Sequence, residues 1–239
     1  MVNNPLCSAS HVLIRRQGNT IVGTTDDPTV LTFNPSPTEK DIEWILKQLA
    51  KYIDPNDIKI RRGDVLAAWS GIRPLVRDPN AKNTESLVRS HLTQINPSGL
   101  VTIAGGKWTT YRQMAEDTVD ATVRHFKLAA GPCRTKELKL IGAEGWRPTL
   151  YLPLIQIFGI ETDVAKHLVE SYGNRAWTVA SLTDPTGQRW PARGIRLSKM
   201  YRYVEGEIRY AVRYEYAQTA IDVLARRTRY QFASVTFPY

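Results

Sequence analysis

The residues with the strongest chemical signal lie in Gly105-Gly106-Lys107-Trp108-Thr109-Thr110. An apolar run at 100–104 precedes them and an amphipathic helical pattern follows. Two glycines let a ligand approach the main chain. A helix starting there turns its unpaired N–H groups and positive dipole end toward the same spot. With a lysine beside it, such a turn suits an anion or an electron-rich ring. The same residues also fit a plain strand-to-helix turn with Thr109 or Thr110 as the N-cap. A second candidate is Arg73, held between Gly71 and Pro74 at the end of an apolar run. A restrained arginine suits bidentate capture of phosphate or carboxylate, and it equally suits a structural ion pair.

Other chemistries find less support. No G-x-G-x-x-G and no G-x-x-x-x-G-K-S/T occurs in the chain. Of the scattered histidines, His125 and His167 fall on helical patterns. His91 opens a strand pattern, from which it could face the site. No metal-ligand spacing is present, so no metal is expected. The cysteines Cys7 and Cys133 form no framework, and a reducing compartment is the default. Arg226, Arg227 and Arg229 follow the last helical pattern, where cations complement the dipole. The alternative is a phosphate or acidic-lipid contact.

The chain has 239 residues and a net charge of +9, which points to anionic partners. From Arg189 to Arg229, ten Lys/Arg stand against four acids, a local +6. No helix-turn-helix, zinc-finger or aromatic-platform signature accompanies that charge, so nucleic acid is not an expected partner. No apolar run is long enough to span a bilayer. The N-terminus resembles neither a signal peptide nor an Arg-rich presequence.

Several elements must position these residues. Strands at 11–16 and 20–25 are joined by a Gln17-Gly18-Asn19 turn. Ser36, Pro37 and Glu39 read as N-cap, first helical position and capping box for a helix burying Ile42, Ile45, Leu46, Leu49 and Ile53. A buried strand is expected at 65–69 and a polar loop at 78–85. A second hairpin, 90–95 with 100–104, turns at 96–99 and feeds the glycine turn. The helix after it is expected to bury Ala115, Val119, Val123 and Phe126 and to stop at Gly131-Pro132. Helices are expected at 152–158, 163–172, 178–182 and 205–227, the last with Ile208, Val212, Ala217, Ile221 and Leu224 on its buried face. The fold class is α/β (α+β) in residues 1–132, followed by a small all-α domain in 133–239, with the boundary near 132–146.

Taken in order, these pieces resemble one family. Residues 64–76, ending in Gly71-Ile72-Arg73-Pro74-Leu75-Val76, are similar to the segment around the substrate arginine of flavin-linked, quinone-dependent glycerol-3-phosphate dehydrogenases. Residues 98–112 resemble that family's flavin-side turn. Residues 17–26, His167-Leu168 with 172–176, and 215–217 with 222–229 resemble it too. The resemblance implies part of a DAO-like FAD-dependent domain followed by a helical C-terminal domain. It implies oxidation of sn-glycerol 3-phosphate to dihydroxyacetone phosphate, with hydride passing from C2 to N5 of FAD and electrons then to ubiquinone. Lys107 and Arg73 would be catalytic and substrate-binding, with Thr24 and Thr25 beside the substrate. Gly105, Gly106, Lys107, Thr109 and Thr110 would hold the flavin. The implied location is the mitochondrial inner membrane, peripherally attached, with an anionic membrane surface as a further partner. The family's dinucleotide fingerprint is expected in an N-terminal stretch that this chain lacks. Residues 1–16 are expected to be foreign, because Ile14-Arg15-Arg16 replaces an apolar strand ending in Pro-Trp. The competing reading is an inactive truncated paralogue or interaction module without FAD.

Overall fold

The computed structural model describes residues 12–16, 19–53, 59–73, 76–77, 87–88 and 91–228. The chain divides into two compact units, one of residues 1–72 with 141–239 and the other of residues 73–140.

In the first unit, β1 (Val12–Arg16) pairs antiparallel with β2 (Asn19–Gly23), Arg16 opposite Asn19. This is the expected hairpin, although Thr24 and Thr25 fall beyond its second strand. His11 and Gln17-Gly18 lie outside the described residues. Helix α1 (Glu39–Leu49) starts one capping box later than expected. Thr38 is the N-cap, its hydroxyl accepting from Asp41 N at 3.2 Å while Asp41 Oδ2 accepts from Thr38 N at 3.0 Å. A Thr/Asp pair two residues downstream thus displaces the Ser36/Glu39 box. Ile42 and Leu49 are buried, while Ile45, Leu46 and Ile53 are half-buried.

The expected strand at 65–69 does not form. A short 3₁₀ turn at Arg62–Asp64 leads into a segment outside the described strands, with Leu66 and Trp69 exposed. A strand needs a neighbour for its hydrogen bonds, and none of the described strands pairs with this segment.

Residues 141–228 build a helical core. Helices α3 (Tyr151–Phe158), α4 (Thr162–Tyr172) and α5 (Ala176–Ser181) follow in sequence, then a loop and α6 (Glu205–Tyr214). Leu154, Ile160, Val164, Leu168, Val179 and Val204 are fully enclosed. The helical period of α4 places Val164, Ala165, Leu168 and Val169 on its inner face. At Gly206, helices α5 and α6 approach so closely that a Cβ would stand 2.9 Å from Val179 O. His167 is buried here too. Its Nε2 lies 2.9 Å from Glu207 Oε1, which also accepts from Tyr172 Oη at 3.1 Å, and Glu207 Oε2 accepts from Val204 N at 2.8 Å.

The expected helix at 205–227 is two. Helix α6 ends at Tyr214, Tyr216 turns left-handed (φ 57°), and α7 (Ala220–Leu224) starts at a Thr219/Asp222 capping box. Arg227 Nε donates to Glu215 Oε2 at 3.1 Å and its Nη1 to Asp222 O at 2.6 Å. The inner face is also not the expected one. Gly206, Glu207, Tyr210, Ala211, Ala217 and Val223 are buried, whereas Ile208, Val212, Ile221 and Leu224 are exposed.

In the second unit, β3 (Val76–Arg77) pairs with β4 (Leu87–Val88). The loop expected at 78–85 lies outside the described residues. Strands β5 (His91–Ile95) and β6 (Val101–Gly105) form the second hairpin, His91 opposite Gly105. Asn96 Oδ1 closes its turn, accepting from Leu100 N at 2.9 Å and Ser98 Oγ at 2.8 Å. Helix α2 (Tyr111–Phe126) follows. It buries no residue completely: Ala115, Val119 and Phe126 are exposed and Val123 is half-buried. It ends at a left-handed Lys127, before Gly131-Pro132. No described helix is long and apolar enough to cross a membrane.

Candidate active site

Gly105, Gly106, Lys107, Thr109 and Thr110 come together in one turn between β6 and α2. Gly105 and Gly106 have φ of 75° and 77°, backbone that side chains rarely adopt. The positive φ favours glycine at 106, and a Cβ there would also stand 2.6 Å from Met114 Sδ, so that the flexible Met114 side chain would have to shift. Lys107 is exposed and extended, and Trp108–Thr110 make one 3₁₀ turn into α2. Thr110 is the N-cap residue of α2, as expected, but its hydroxyl caps none of the helix's N–H groups. Thr110 Oγ1 instead donates back to Lys107 O at 2.9 Å, and no side chain caps the start of the helix. The N-terminus of α2 therefore keeps its donor-rich, positive character beside Lys107.

This turn borders an open cavity of about 570 Å³ lined by Ile103, Gly106, Lys107, Trp108, Tyr111 and Met114. The walls are apolar and aromatic and the cation stands at the rim, a mixture suited to a flat ring carrying an anionic edge. The sequence reading missed Ile103, Tyr111 and Met114. The i, i+3 spacing of Tyr111 and Met114 is the signal that puts them on one face.

Arg73 is exposed and belongs to the same unit. Thr24 and Thr25 belong to the other unit. In that unit the hydroxyl and main-chain N–H of Thr38 hold the Asp41 carboxyl below its ordinary range. Arg112, one residue into α2, donates to Glu116 Oε2 at 2.5 Å and to Thr135 Oγ1 at 3.0 Å. The Glu116 carboxylate raises the guanidinium pKa above its usual value. His125 lies edge-on to Phe126, and no group of metal-binding side chains occurs among the described residues. Arg226 pairs locally with Asp222 of α7, and Arg227 pairs with Glu215 at the end of α6, so Arg227 serves the α6–α7 connection.

Comparison with known proteins places these features in a family. Residues 2–112 match the FAD dependent oxidoreductase family, and residues 133–236 match the C-terminal domain of alpha-glycerophosphate oxidase. Mitochondrial glycerol-3-phosphate dehydrogenase of Mus musculus is 53% identical over 216 residues, 90% of this chain and 29% of the relative. The Homo sapiens enzyme is 52% identical over 219 residues, 92% of this chain and 30% of the relative. Over about nine-tenths of its length the chain is similar to FAD-dependent glycerol-3-phosphate dehydrogenases. A glycerol-3-phosphate dehydrogenase from Bacillus halodurans, solved with FAD, superposes with a TM-score of 0.70 at 27% identity, covering 94% of this chain and 43% of that one.

The two matches give the fold class: a segment of the FAD dependent oxidoreductase domain, followed by a helical domain of the kind that ends alpha-glycerophosphate oxidase. The chain spans about 30% of the length of these dehydrogenases. The oxidoreductase match starts at residue 2 and so takes in residues 2–16, the stretch expected to be foreign.

Proposed function

We propose that this chain supplies the substrate and flavin-ring side of an FAD-dependent, quinone-linked glycerol-3-phosphate dehydrogenase. The observation that carries this reading is the 53% identity over 90% of the chain to an enzyme of that name. The Gly105-Gly106-Lys107 turn fits the cofactor, because a side chain at Gly106 would fill the cradle against Met114. When bound, FAD supplies the hydride acceptor for C2 of sn-glycerol 3-phosphate, which leaves as dihydroxyacetone phosphate.

Each residue has a part in that scheme. Main chain at Gly105 and Gly106 lets a planar ring approach. The uncapped start of α2, with Thr109 and Thr110, favours negative charge on the ring edge. A well-aimed donor of this kind contributes about 3–4 kcal/mol to a transition state. Lys107, at the cavity rim, holds the substrate oxygens, and Arg73 grips the phosphate in the bidentate manner that guanidinium favours. Thr24 and Thr25 flank the substrate. Ubiquinone takes the electrons onward. The location is the mitochondrion, as in the named relatives, with peripheral attachment to the inner membrane. Because Arg227 is occupied internally, any anionic-lipid contact draws on other cations of the basic 189–229 stretch, the exposed Arg226 among them. The domain boundary of the proposed enzyme falls at 132/133.

The test is a chimera in which residues 24–239 replace the matching segment of the mouse dehydrogenase. Turnover with a soluble quinone analogue is the readout. Arg73→Ala is expected to raise KM at least tenfold and Lys107→Ala to lower kcat at least a hundredfold. Unchanged kinetics in both variants would remove the assignment.

A further inference from the structure

Beneath the glycine turn lies a polar connection that the proposed reaction does not use. His91 opens β5 and sits across the ladder from Gly105. Its Cβ would be 3.1 Å from a Cβ on Gly106. Its imidazole crosses to α2, where Nε2 lies 2.9 Å from Asp117 Oδ2. A carboxylate only accepts, so Nε2 carries the proton. Asp117 Oδ1 accepts from Gln113 Nε2 at 2.7 Å, and Gln113 Oε1 accepts from Arg112 Nη2 at 2.7 Å. Arg112 in turn reaches Glu116 and Thr135. Hydrogen bonds thus run from the end of the hairpin along the first two turns of α2.

Two residues on, Thr93 shares the pleat face of His91 and makes a second tie, its Oγ1 3.2 Å from Thr118 Oγ1. The tie at His91 is the nearer to the hinge. Two consecutive glycines in left-handed backbone leave the angle between β6 and α2 weakly set by the turn itself. Lys107 is the next residue, exposed and without a buried neighbour in the turn to fix it. A cross-link from the strand opposite Gly105 to the second turn of α2 supplies that missing constraint.

We propose that His91 is a positioning residue for Lys107. By tying β5 to Asp117, it sets the angle at which α2 leaves the hairpin, and so aims Lys107 and the uncapped helix start. What Lys107 is aimed at rests on the function proposed above. The tether itself does not.

Hydrogen–deuterium exchange on the full 239-residue chain tests it, reading peptides that cover residues 104–112. His91→Phe keeps the ring and removes the donor, Asp117→Ala removes the acceptor, and His91→Gln restores an N–H at about the same reach. His91→Phe and Asp117→Ala are each expected to speed exchange in 104–112 about tenfold, His91→Gln to stay within about twofold of native, and peptides in 150–182 not to change. Native exchange in His91→Phe would overturn the proposal. So would equal acceleration in His91→Gln and His91→Phe, which would mean packing alone, or acceleration that extends to 150–182. In the chimera, His91→Phe is expected to lower kcat about tenfold with KM within twofold, and His91→Gln to recover most of it. If the unsubstituted chimera shows no turnover, the proposed function fails and the exchange result alone decides the tether.

Discussion

Helices α4 and α2 are both amphipathic in sequence and end in opposite surroundings. The 11 residues of α4 bury five, among them Leu168 at 0% exposure. The 16 residues of α2 bury none, and Val119 stands 58% exposed. The helical core is held by close packing, whereas the hairpin–turn–helix unit is held by special glycines and a few side-chain ties. The part that contacts ligand in the proposed enzyme is therefore the part with the least burial of its own, a common division of labour between rigid scaffold and functional turn.

The sharpest way to break that contrast is to attack the buried His167–Glu207 cluster in the packed region. Glu207→Ala leaves His167 Nε2, Tyr172 Oη and Val204 N without their buried acceptor. A loss of about 3–5 kcal/mol in unfolding free energy is expected by chemical denaturation. Next come paired truncations. Leu168→Ala should cost about 2–5 kcal/mol, while Val119→Ala on α2 should stay within about 0.5 kcal/mol. Equal effects at the two sites would erase the distinction. In the turn, Gly106→Ala forces a side chain into φ 77° and against Met114. Calorimetry should show a loss of about 1–3 kcal/mol. Met114→Ala should relieve only the contact and leave the backbone penalty.

The smallest effect is expected at α7. Main-chain N–H groups of Gln218 and Thr219 hold the Asp222 carboxyl down to about 2, from an ordinary 3.8. A depressed folded-state pKa stabilises above the unfolded value and ceases to do so as pH falls through the folded one. Protection factors of the α7 amides, taken against the unstructured rate at the same pH, should therefore fall as the pH drops from about 3.8 to about 2. Asp222→Asn should remove that pH dependence.

Much of this organisation was legible in the residues. Hairpin β5–β6, the glycine turn and the helices of the C-terminal domain follow from local periodicity and turn chemistry. The misreadings share a cause, which is that burial depends on neighbours. Residues 65–69 have strand composition without a paired strand, and Val119 and Phe126 have core spacing on an exposed face. The break in the 205–227 helix was encoded by Thr219 and Asp222, a second capping box inside a continuous apolar pattern. His91 was invisible as a tether because Asp117 is 26 residues away in sequence.

The most direct measurement is the visible absorption of the flavin in the mouse chimera before and after anaerobic addition of sn-glycerol 3-phosphate. The account predicts that the band bleaches, and that Lys107→Ala retains flavin while bleaching at least a hundredfold more slowly. A chimera that holds flavin and is not bleached, or a Lys107→Ala variant bleached at the native rate, would contradict it.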